Sequence, residues 1–283
     1  MINSKNIIFD TDLFNEADDY FALTYLLKKK ELFNVKAVAI SPFKHSKYDY
    51  SISQSIEDSY NEAITIYDLL GIKDKSNIYK GSIDYYENGY IEDNDAVNKI
   101  IELAHTLDSV YIIAVSGLTN IALAIKKDPS ILNKIKVIWL GSNFLFGSNQ
   151  DSNFRRDVLS VKTVFESRVD LTVISASPIS SNLLVSIYEI ESKLKGKSDI
   201  ADYLYYRFKY KAHGIDERWP LYDVAAVAYL VNEDWFSLIN ISCPYIDYDN
   251  KFIFTNGRHN VKFVSNLNAK KILDDMFKTI IQN

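Results

Sequence analysis

The sequence predicts an α/β protein built on a mostly parallel sheet, with helices on both faces and a small antiparallel addition near the C-terminus. Two observations lead to this fold class. Short, continuously apolar runs alternate with amphipathic stretches through the first two-thirds of the chain, which is typical of strands buried on both faces and joined by helices. Polar clusters follow these apolar runs, as ligand-binding loops do at the carboxyl ends of parallel strands.

The apolar runs and the amphipathic stretches give a Rossmann-like alternation of strands and helices. The predicted strands are Ile7–Phe9, Val35–Ser41, Val110–Ser116, Ile135–Gly141 and Leu171–Ile174. The predicted helices lie around 17–29, 57–70, 95–107, 118–126 and 159–168. Because no linker, internal repeat or low-complexity segment divides the chain, we expect one domain over residues 1–283.

The C-terminal third has a different pattern. Residues 186–213 are rich in Tyr and Lys and predict helix, and residues 220–231 predict an apolar helix with Pro220 in its first turn. The alternating segments "KFIF" and "VKFV" predict the antiparallel addition, and residues 268–281 predict a closing helix.

Composition excludes several classes of protein. A net charge of −5 and a pI near 5.5 argue against nucleic-acid binding, and no apolar run is long enough to span a bilayer. The N-terminus lacks the features of a signal peptide, so we expect a soluble cytoplasmic protein. Cys243 is the single cysteine and is expected to be an apolar core residue.

An acidic cluster follows the first predicted strand directly. It comprises Asp10, Asp12, Glu16, Asp18 and Asp19. One or two of these acids could cap a helix or face its dipole, as Asp18 could, but five carboxylates so close together repel one another and need a compensating cation. Oxygen ligands select a hard ion such as Ca²⁺ or Mg²⁺. The spacing does not match an EF-hand loop.

Two further segments are candidates for the same site. "SGLTN", residues 116–120, is either a strand-to-helix turn capped by Thr119 or Asn120, or a source of a carbonyl or side chain for the metal. Asp223 stands in an otherwise apolar helix. Because a buried carboxylate is costly unless it is paired or ligated, we favour a functional role for Asp223.

The segment "GSNQDSNFRRD", residues 147–157, is more polar than a turn requires. Asn149, Asp151 and Asn153 could bind hydroxyl groups of a ligand, or the segment could be a solvated loop. The four histidines are scattered and lack metal-ligand spacing. No Ser-His-Asp arrangement and no phosphate-binding glycine motif appears.

Together these motifs resemble the nucleoside hydrolase family, the inosine–uridine-preferring ribohydrolases and their relatives. A strand followed by Asp-x-Asp, a short loop and Asp-Asp-x-x-Ala-Leu resembles the signature of that family. "SGLTNIALAI", "DSNFRRDVLSVKTVFES" and "YDVAAVAYL" resemble its later motifs in the same order. The four matches extend across roughly residues 7–230, and their order makes the resemblance specific.

The resemblance implies a role for each matched residue. One Ca²⁺ would be held by Asp12, Asp19, the backbone carbonyl of Thr119 and Asp223. Asp18 would be the general base on the water that the ion binds, and Asp10 would support the ligands or lie close to the ion. Asn153 and Asp151 would bind ribose hydroxyls, the first near the 2′/3′ side and the second near the 5′-hydroxyl.

The implied activity is calcium-dependent hydrolysis of the N-glycosidic bond of a ribonucleoside, or of a related ribosyl compound, to ribose and free base. Its chemistry suits these residues, because nearby carboxylates stabilise the oxocarbenium-like charge that develops on the ribose. The resemblance also implies a small-molecule ribosyl substrate, a role in purine or pyrimidine salvage, and a homodimer or homotetramer.

The chain departs from the common family pattern at three places. The loop between Asp12 and Asp18 is two residues longer than usual and contains Asn15 and Glu16. Tyr222 stands where many members have a histidine that protonates the leaving purine. "SPFKHSK" replaces a glycine-asparagine pair after the second strand, so His45 or Ser46 could take over a ribose contact.

Two alternatives remain open at this stage. Tyr222 and the altered loops are compatible with a non-catalytic relative that binds a ribosyl ligand through a retained calcium ion. "FDTD" also resembles the start of haloacid-dehalogenase-like phosphatases, with Asp10 as nucleophile and Asp12 as acid, although Phe14 replaces their usual Thr or Val.

Overall fold

The computed structural model describes residues 4–44, 50–89, 93–143, 145–211 and 218–282. The described strands are β1 (Lys5–Thr11), β2 (Phe33–Ile40), β3 (Ile78–Lys80), β4 (Val110–Ala114), β5 (Ile135–Leu140), β6 (Asp170–Ile174), β7 (Leu184–Ser186), β8 (Arg218–Pro220), β9 (Phe236–Ser242), β10 (Tyr245–Ile246), β11 (Phe252–Ile253) and β12 (Asn260–Leu267). Eight of these strands form one sheet in the order β3-β2-β1-β4-β5-β6-β12-β9. All neighbours in this sheet are parallel except β12 and β9.

Helices cover both faces of the sheet. They are α1 (Asp18–Lys28), α2 (Ile52–Leu69), α3 (Asp95–Thr106), α4 (Thr119–Lys127), α5 (Ser152–Arg156), α6 (Val158–Glu166), α7 (Ile187–Leu194), α8 (Asp199–Lys211), α9 (Val224–Val231) and α10 (Ala269–Ile281). Successive residues of a strand point to opposite faces, so Ile7 and Phe9 pack into one apolar core with α1 and α9, while Ile8 packs into the other with α3, α4 and α6. The predicted α/β fold class is confirmed.

The five predicted strands correspond to β1, β2, β4, β5 and β6, each within two residues at both ends, whereas the short strand β3 was not predicted. The structure extends the second predicted helix, which begins at Ile52 because the Ser51 hydroxyl accepts a hydrogen bond from the Gln54 N–H at 3.1 Å and caps it. No helix among the described residues is long and apolar enough to cross a membrane.

Two predicted helices in the C-terminal third are wrong in their extent. The described part of the predicted helix 186–213 contains two helices rather than one, because Gly196 adopts a left-handed φ of 74° between α7 and α8. Pro220 does not begin a helix but ends β8, which pairs with β7. The residue before a proline disfavours helical geometry, and α9 begins only at Val224, after three intervening residues.

The predicted antiparallel addition is present and larger than expected. β12 lies parallel to β6 and antiparallel to β9, so both strands extend the main sheet. β10 and β11 form a separate antiparallel pair. The closing helix is α10, one residue from its predicted start.

The strand order reverses direction beside β1, since β2 lies on one side of it and β4 on the other. Ligands of open α/β sheets bind outside the carboxyl ends of the strands at such a point. The loops that follow β1, β4, β5 and β6 therefore meet at the edge where a site is expected.

Candidate functional site

A cavity of about 360 Å³ opens at the carboxyl edge of the sheet, a size usual for small-molecule sites. Its walls come from the ends of β1, β4, β5 and β6, from α5, and from the segment between β8 and α9. The described lining residues are Asp12, Asn15, Glu16, Asp18, Asp19, Val115, Leu140, Asn143, Gln150, Asp151, Ser152, Asn153, Ala176, Ser177, Trp219, Tyr222 and Asp223. The structure therefore brings most of the predicted site residues together in one cavity.

Three carboxylates in this cavity are close enough to share one cation. Asp18 and Asp19 lie in the first turn of α1, and Asp223 immediately precedes α9. Ligand oxygens of the three lie within 4.8 Å of one another, and each residue is almost fully buried. The helix N-termini that carry these residues place partial positive charge behind the carboxylates.

Hydrogen bonds fix two of the three carboxylates. The Thr11 hydroxyl donates to Asp19 Oδ1 at 2.5 Å, and the backbone N–H of Asp223 donates to Asp18 Oδ2 at 3.3 Å. Asp18 therefore does not cap its own helix, which begins after Ala17 without a side-chain cap. Capping of α1 by these acids is therefore wrong, whereas Asp18 and Asp19 do lie in its first turn, where they face the helix dipole.

The electrostatics of the three carboxylates favour a cation. Burial, together with the charge of Glu16, raises the pKa of Asp18 from 3.8 to about 7. Burial and the neighbouring aspartates raise the pKa values of Asp19 and Asp223 well above 3.8. Buried oxygen donors that repel one another suit a hard divalent ion, so the residues present fit a metal.

Asp12 is paired differently. One of its oxygens, Oδ2, accepts a hydrogen bond from Nη1 of Arg156, and the two side chains are 1% and 10% exposed. Burial raises the pKa of Asp12 to about 6, although the Arg156 charge opposes the rise. Arg156 was missed by the sequence reasoning, because nothing in "NFRRD" separates it from the exposed Arg155 beside it.

Asn153 is held from both ends of its amide. Its Nδ2 donates to the carbonyl oxygens of Val115 at 3.1 Å and Leu140 at 3.0 Å, and its Oδ1 accepts from Nη1 of Arg156 at 2.8 Å. Both amide N–H groups are thus used. One lone pair of Oδ1 is left to accept a hydrogen bond from a ligand hydroxyl.

Asp151 and Asn149 have structural partners in the same loop. Asp151 Oδ1 accepts the backbone N–H groups of Phe154 and Ser142, both at 3.0 Å, and so caps α5 while lining the cavity. Asn149 accepts the N–H of Asn143 at 2.8 Å and donates to the Asn250 carbonyl at 2.9 Å. Residues 150–153 of this loop therefore form one wall of the cavity.

The comparison with known families settles where this chain belongs. The profile of the family described as inosine-uridine preferring nucleoside hydrolase matches residues 7–274. The chain belongs to this family. Its members are metal-dependent hydrolases that act on small-molecule nucleosides.

Curated relatives match parts of the chain. The rice protein "Probable uridine nucleosidase 1" (Oryza sativa subsp. japonica) is 33% identical over 89 residues, which cover 30% of this chain and 28% of that protein. "Probable uridine nucleosidase 2" from the same rice is 25% identical over 158 residues, which cover 52% of this chain and 46% of that protein. The chain thus spans less than half the length of the curated relatives that it matches.

Solved nucleoside hydrolases share the fold over the whole chain. A plant nucleoside hydrolase superposes with a TM-score of 0.81 at 16% identity, with 99% of both chains covered. An inosine-uridine preferring nucleoside hydrolase from Bacillus anthracis gives a TM-score of 0.77 at 18% identity and covers 98% of this chain and 99% of its own. Identities this low show the shared fold alone.

Asp10 lies behind the cavity wall in this member of the family. It is fully buried and accepts hydrogen bonds from Ser41 Oγ at 2.8 Å, Ser116 Oγ at 2.5 Å and Asn120 Nδ2 at 2.9 Å. These bonds join the ends of β1, β2 and β4. Asp10 is fully buried with both carboxylate oxygens hydrogen-bonded, which does not suit a phosphatase nucleophile. Because the chain also belongs to the nucleoside hydrolase family, the phosphatase alternative is wrong.

Thr119 begins α4 and also lies behind the wall. Its hydroxyl donates to Asp157 Oδ2 at 2.7 Å, and Asn120 bonds Asp10, so neither side chain caps the helix. A carbonyl in the first turn of a helix points along the helix axis toward the next turn. Val115, at the end of β4, lines the cavity instead.

The extended loop of residues 13–17 forms one rim of the cavity through Asn15 and Glu16. The Phe14 N–H donates to Ser59 Oγ at 3.1 Å, and the Phe14 ring packs 5.4 Å from the Arg207 guanidinium.

Trp219 and Tyr222 line the cavity as well. Burial and the Asp18 charge raise the pKa of Tyr222, so its hydroxyl stays protonated. His45 and Ser46 lie outside the described residues.

Replacing Arg207 with methionine is expected to destabilise the protein by about 3–5 kcal/mol, because it leaves Glu62 buried without its cationic partner. The side chains of Arg207 and Glu62 are 19% and 15% exposed. Urea denaturation measures the change. Lys209→Met, two residues further along α8 at an exposed position, is the matched control, and an Arg207→Met free energy of unfolding equal to that of Lys209→Met would contradict the prediction.

The metal-depleted protein is expected to lose stability as the pH rises from about 4 to about 7. Asp10 and Asp18 bind protons more tightly in the folded protein, with pKa values of about 6 and about 7, than in the unfolded chain near 3.8. The two groups therefore stabilise the folded protein fully at pH values below the unfolded pKa. This stabilisation is lost as the pH rises through the folded pKa values. For Asp10 the free energy of unfolding that is lost over this range amounts to about 3 kcal/mol.

Thermal unfolding across this pH range measures the effect. The melting temperature of metal-depleted protein should fall as the pH rises, and the pH dependence should be smaller in Asp10→Asn. A melting temperature that rises steadily over the same range would show that the acidic cluster is not buried in this way.

Proposed function

We propose that the protein is a calcium-dependent nucleosidase, which hydrolyses the N-glycosidic bond of a ribonucleoside or related ribosyl compound to ribose and free base. The observation that carries the proposal is the buried group of Asp18, Asp19 and Asp223 in the cavity at the carboxyl edge of the sheet. Membership in the nucleoside hydrolase family supports it.

The ion would be held by Asp12, Asp19 and Asp223, with a backbone carbonyl completing the set. The Thr119 carbonyl was the predicted fourth ligand. The cavity geometry favours the Val115 carbonyl, because Val115 lines the cavity and Thr119 lies within the first turn of α4. Calcium is the proposed ion, since it accepts several carboxylate and carbonyl oxygens in irregular geometry. When bound, it would orient the ribose diol and the attacking water and lower the pKa of that water.

Asp18 would be the general base. With its pKa raised to about 7, its carboxylate is close to the ideal strength for accepting a proton at neutral pH. The water oxygen bonds to C1′ of the ribose as its proton passes to Asp18. The bond between C1′ and the base nitrogen breaks, and its electron pair leaves with the base. The surrounding carboxylates stabilise the positive charge on the ribose during this step.

The remaining walls would bind the substrate. Asn153 would accept a hydrogen bond from the 2′- or 3′-hydroxyl through Oδ1, and Asp151 would bind the 5′-hydroxyl. Tyr222 and Trp219 would face the base. The protonated Tyr222 hydroxyl can donate a hydrogen bond to the leaving base, in the position where related enzymes carry a histidine.

A panel of purine and pyrimidine nucleosides, assayed for released reducing sugar and free base, tests the proposed function. We expect equimolar ribose and base from at least one nucleoside. Ligand binding without turnover would instead support the non-catalytic relative. A homodimer or homotetramer and a role in nucleoside salvage stay predictions, of which analytical ultracentrifugation tests the first.

A further inference from the structure

Arg156 is a buried cation that the proposed mechanism does not use. It ends α5, its side chain is 10% exposed, and Nη1 contacts both Asp12 Oδ2 and Asn153 Oδ1. The guanidinium carbon lies 5.9 Å from the centre of the Phe43 ring, and its Cβ packs beside Gly117, where an added Cβ would be 3.5 Å away. Arg156 is therefore fixed by packing on several sides.

Asp12 differs from the other carboxylates of the cavity in its contact with the Arg156 guanidinium. Asp18, Asp19 and Asp223 share the arrangement that could hold a cation, and Asp12 is not part of that group of described residues. One oxygen of Asp12 is taken by Arg156 instead. A carboxylate bound to a guanidinium has less negative charge to offer a metal ion, and the guanidinium charge also repels the ion.

We propose that Arg156 is a resident counter-cation that competes with the metal ion for Asp12 and thereby lowers the affinity of the site for metal. This inference rests on the proposed function, since that proposal makes Asp12 a metal ligand. Without the ion, Arg156 compensates the Asp12 charge and keeps this side of the cavity in place. With the ion bound, two cations share one carboxylate, and each weakens the binding of the other.

The sign of the effect separates this role from a purely orienting one. If Arg156 only oriented Asp12 toward the ion, its removal would weaken metal binding by about 10–100-fold, as loss of partners that orient a ligand does. If Arg156 competes with the ion, its removal leaves a buried unpaired carboxylate that the ion then compensates. Metal binding then becomes tighter.

Titration calorimetry of calcium into metal-depleted protein, in mildly alkaline buffer without substrate, tests the inference. We expect Arg156→Met to bind calcium at least about fivefold more tightly than the unsubstituted protein, and Arg156→Lys, which keeps the charge, to stay within about twofold. Arg155→Met removes the neighbouring exposed arginine of α5 and should leave the affinity unchanged.

Thermal unfolding provides a second readout if Arg156→Met folds poorly. Metal-depleted Arg156→Met should melt below the unsubstituted protein, and calcium should raise its melting temperature by more than it raises that of the unsubstituted protein. Equal or weaker calcium binding by Arg156→Met would overturn the inference. A failure of the proposed function is distinguishable, because it would appear as absence of ribose release from the calcium-saturated unsubstituted protein, whatever the affinities of the variants.

Discussion

Asp18→Asn is expected to lower kcat/KM for the best nucleoside substrate by about 10²–10⁴-fold, the usual contribution of a general base. Asparagine has nearly the same shape and can still accept the Asp223 N–H through its side-chain oxygen. It cannot take a proton from water at neutral pH, so the chemical step slows while the cavity is kept. Steady-state kinetics at saturating calcium measures the loss without interference from weaker metal binding.

The control for this substitution is Asp274→Asn, which removes an exposed carboxylate on α10 that pairs with Lys270. It should leave kcat/KM unchanged. Asp18→Asn with more than about a tenth of the unsubstituted kcat/KM would mean that another group accepts the proton.

Asp223→Asn is expected to weaken calcium binding by more than about 100-fold and to abolish ribose release at ordinary calcium concentrations. Asp223 lies beside the like-charged carboxylates of Asp18 and Asp19 on the facing helix α1, and their charges add to the burial that raises its pKa. An amide lacks the negative charge that draws the ion into this group. Calorimetry measures the affinity directly, and activity should recover in part at high calcium.

Asp234→Asn is a matched control, because it changes an exposed aspartate just beyond the other end of α9. Its calcium affinity should equal that of the unsubstituted protein. Calcium affinity preserved in Asp223→Asn would place the ion elsewhere and remove the basis for the proposed ligand set.

Five strands of the main sheet were predictable because continuous apolar runs have few alternatives in a parallel sheet, whereas the order of the strands was not predicted. The polar residues after those runs meet at one edge for the same reason, which is why Asp12 and Asn153 reach the same cavity. Asp223 reaches it from the segment between β8 and α9, outside the main sheet. The breaks near Gly196 and Pro220 were missed, since the helical pattern around them is strong and the local backbone decided the outcome.

The contacts between side chains could not be predicted from one sequence. Arg156 and Arg155 are adjacent in an equally polar segment, and the turn of α5 alone directs one to Asp12 and the other to solvent. Likewise, "VSGLTN" does not reveal that Val115 faces the cavity while Thr119 bonds Asp157. Such assignments depend on distances between elements far apart in the chain.

The most direct test of the central claim is ribose release by metal-depleted protein that has been reconstituted with calcium. We predict that uridine, inosine or another nucleoside of the panel gives free ribose and free base in equal amounts, that chelation stops the reaction, and that added calcium restores it. The contrary result is a calcium-loaded protein that releases no free ribose from any nucleoside, or that releases base only together with a ribose phosphate.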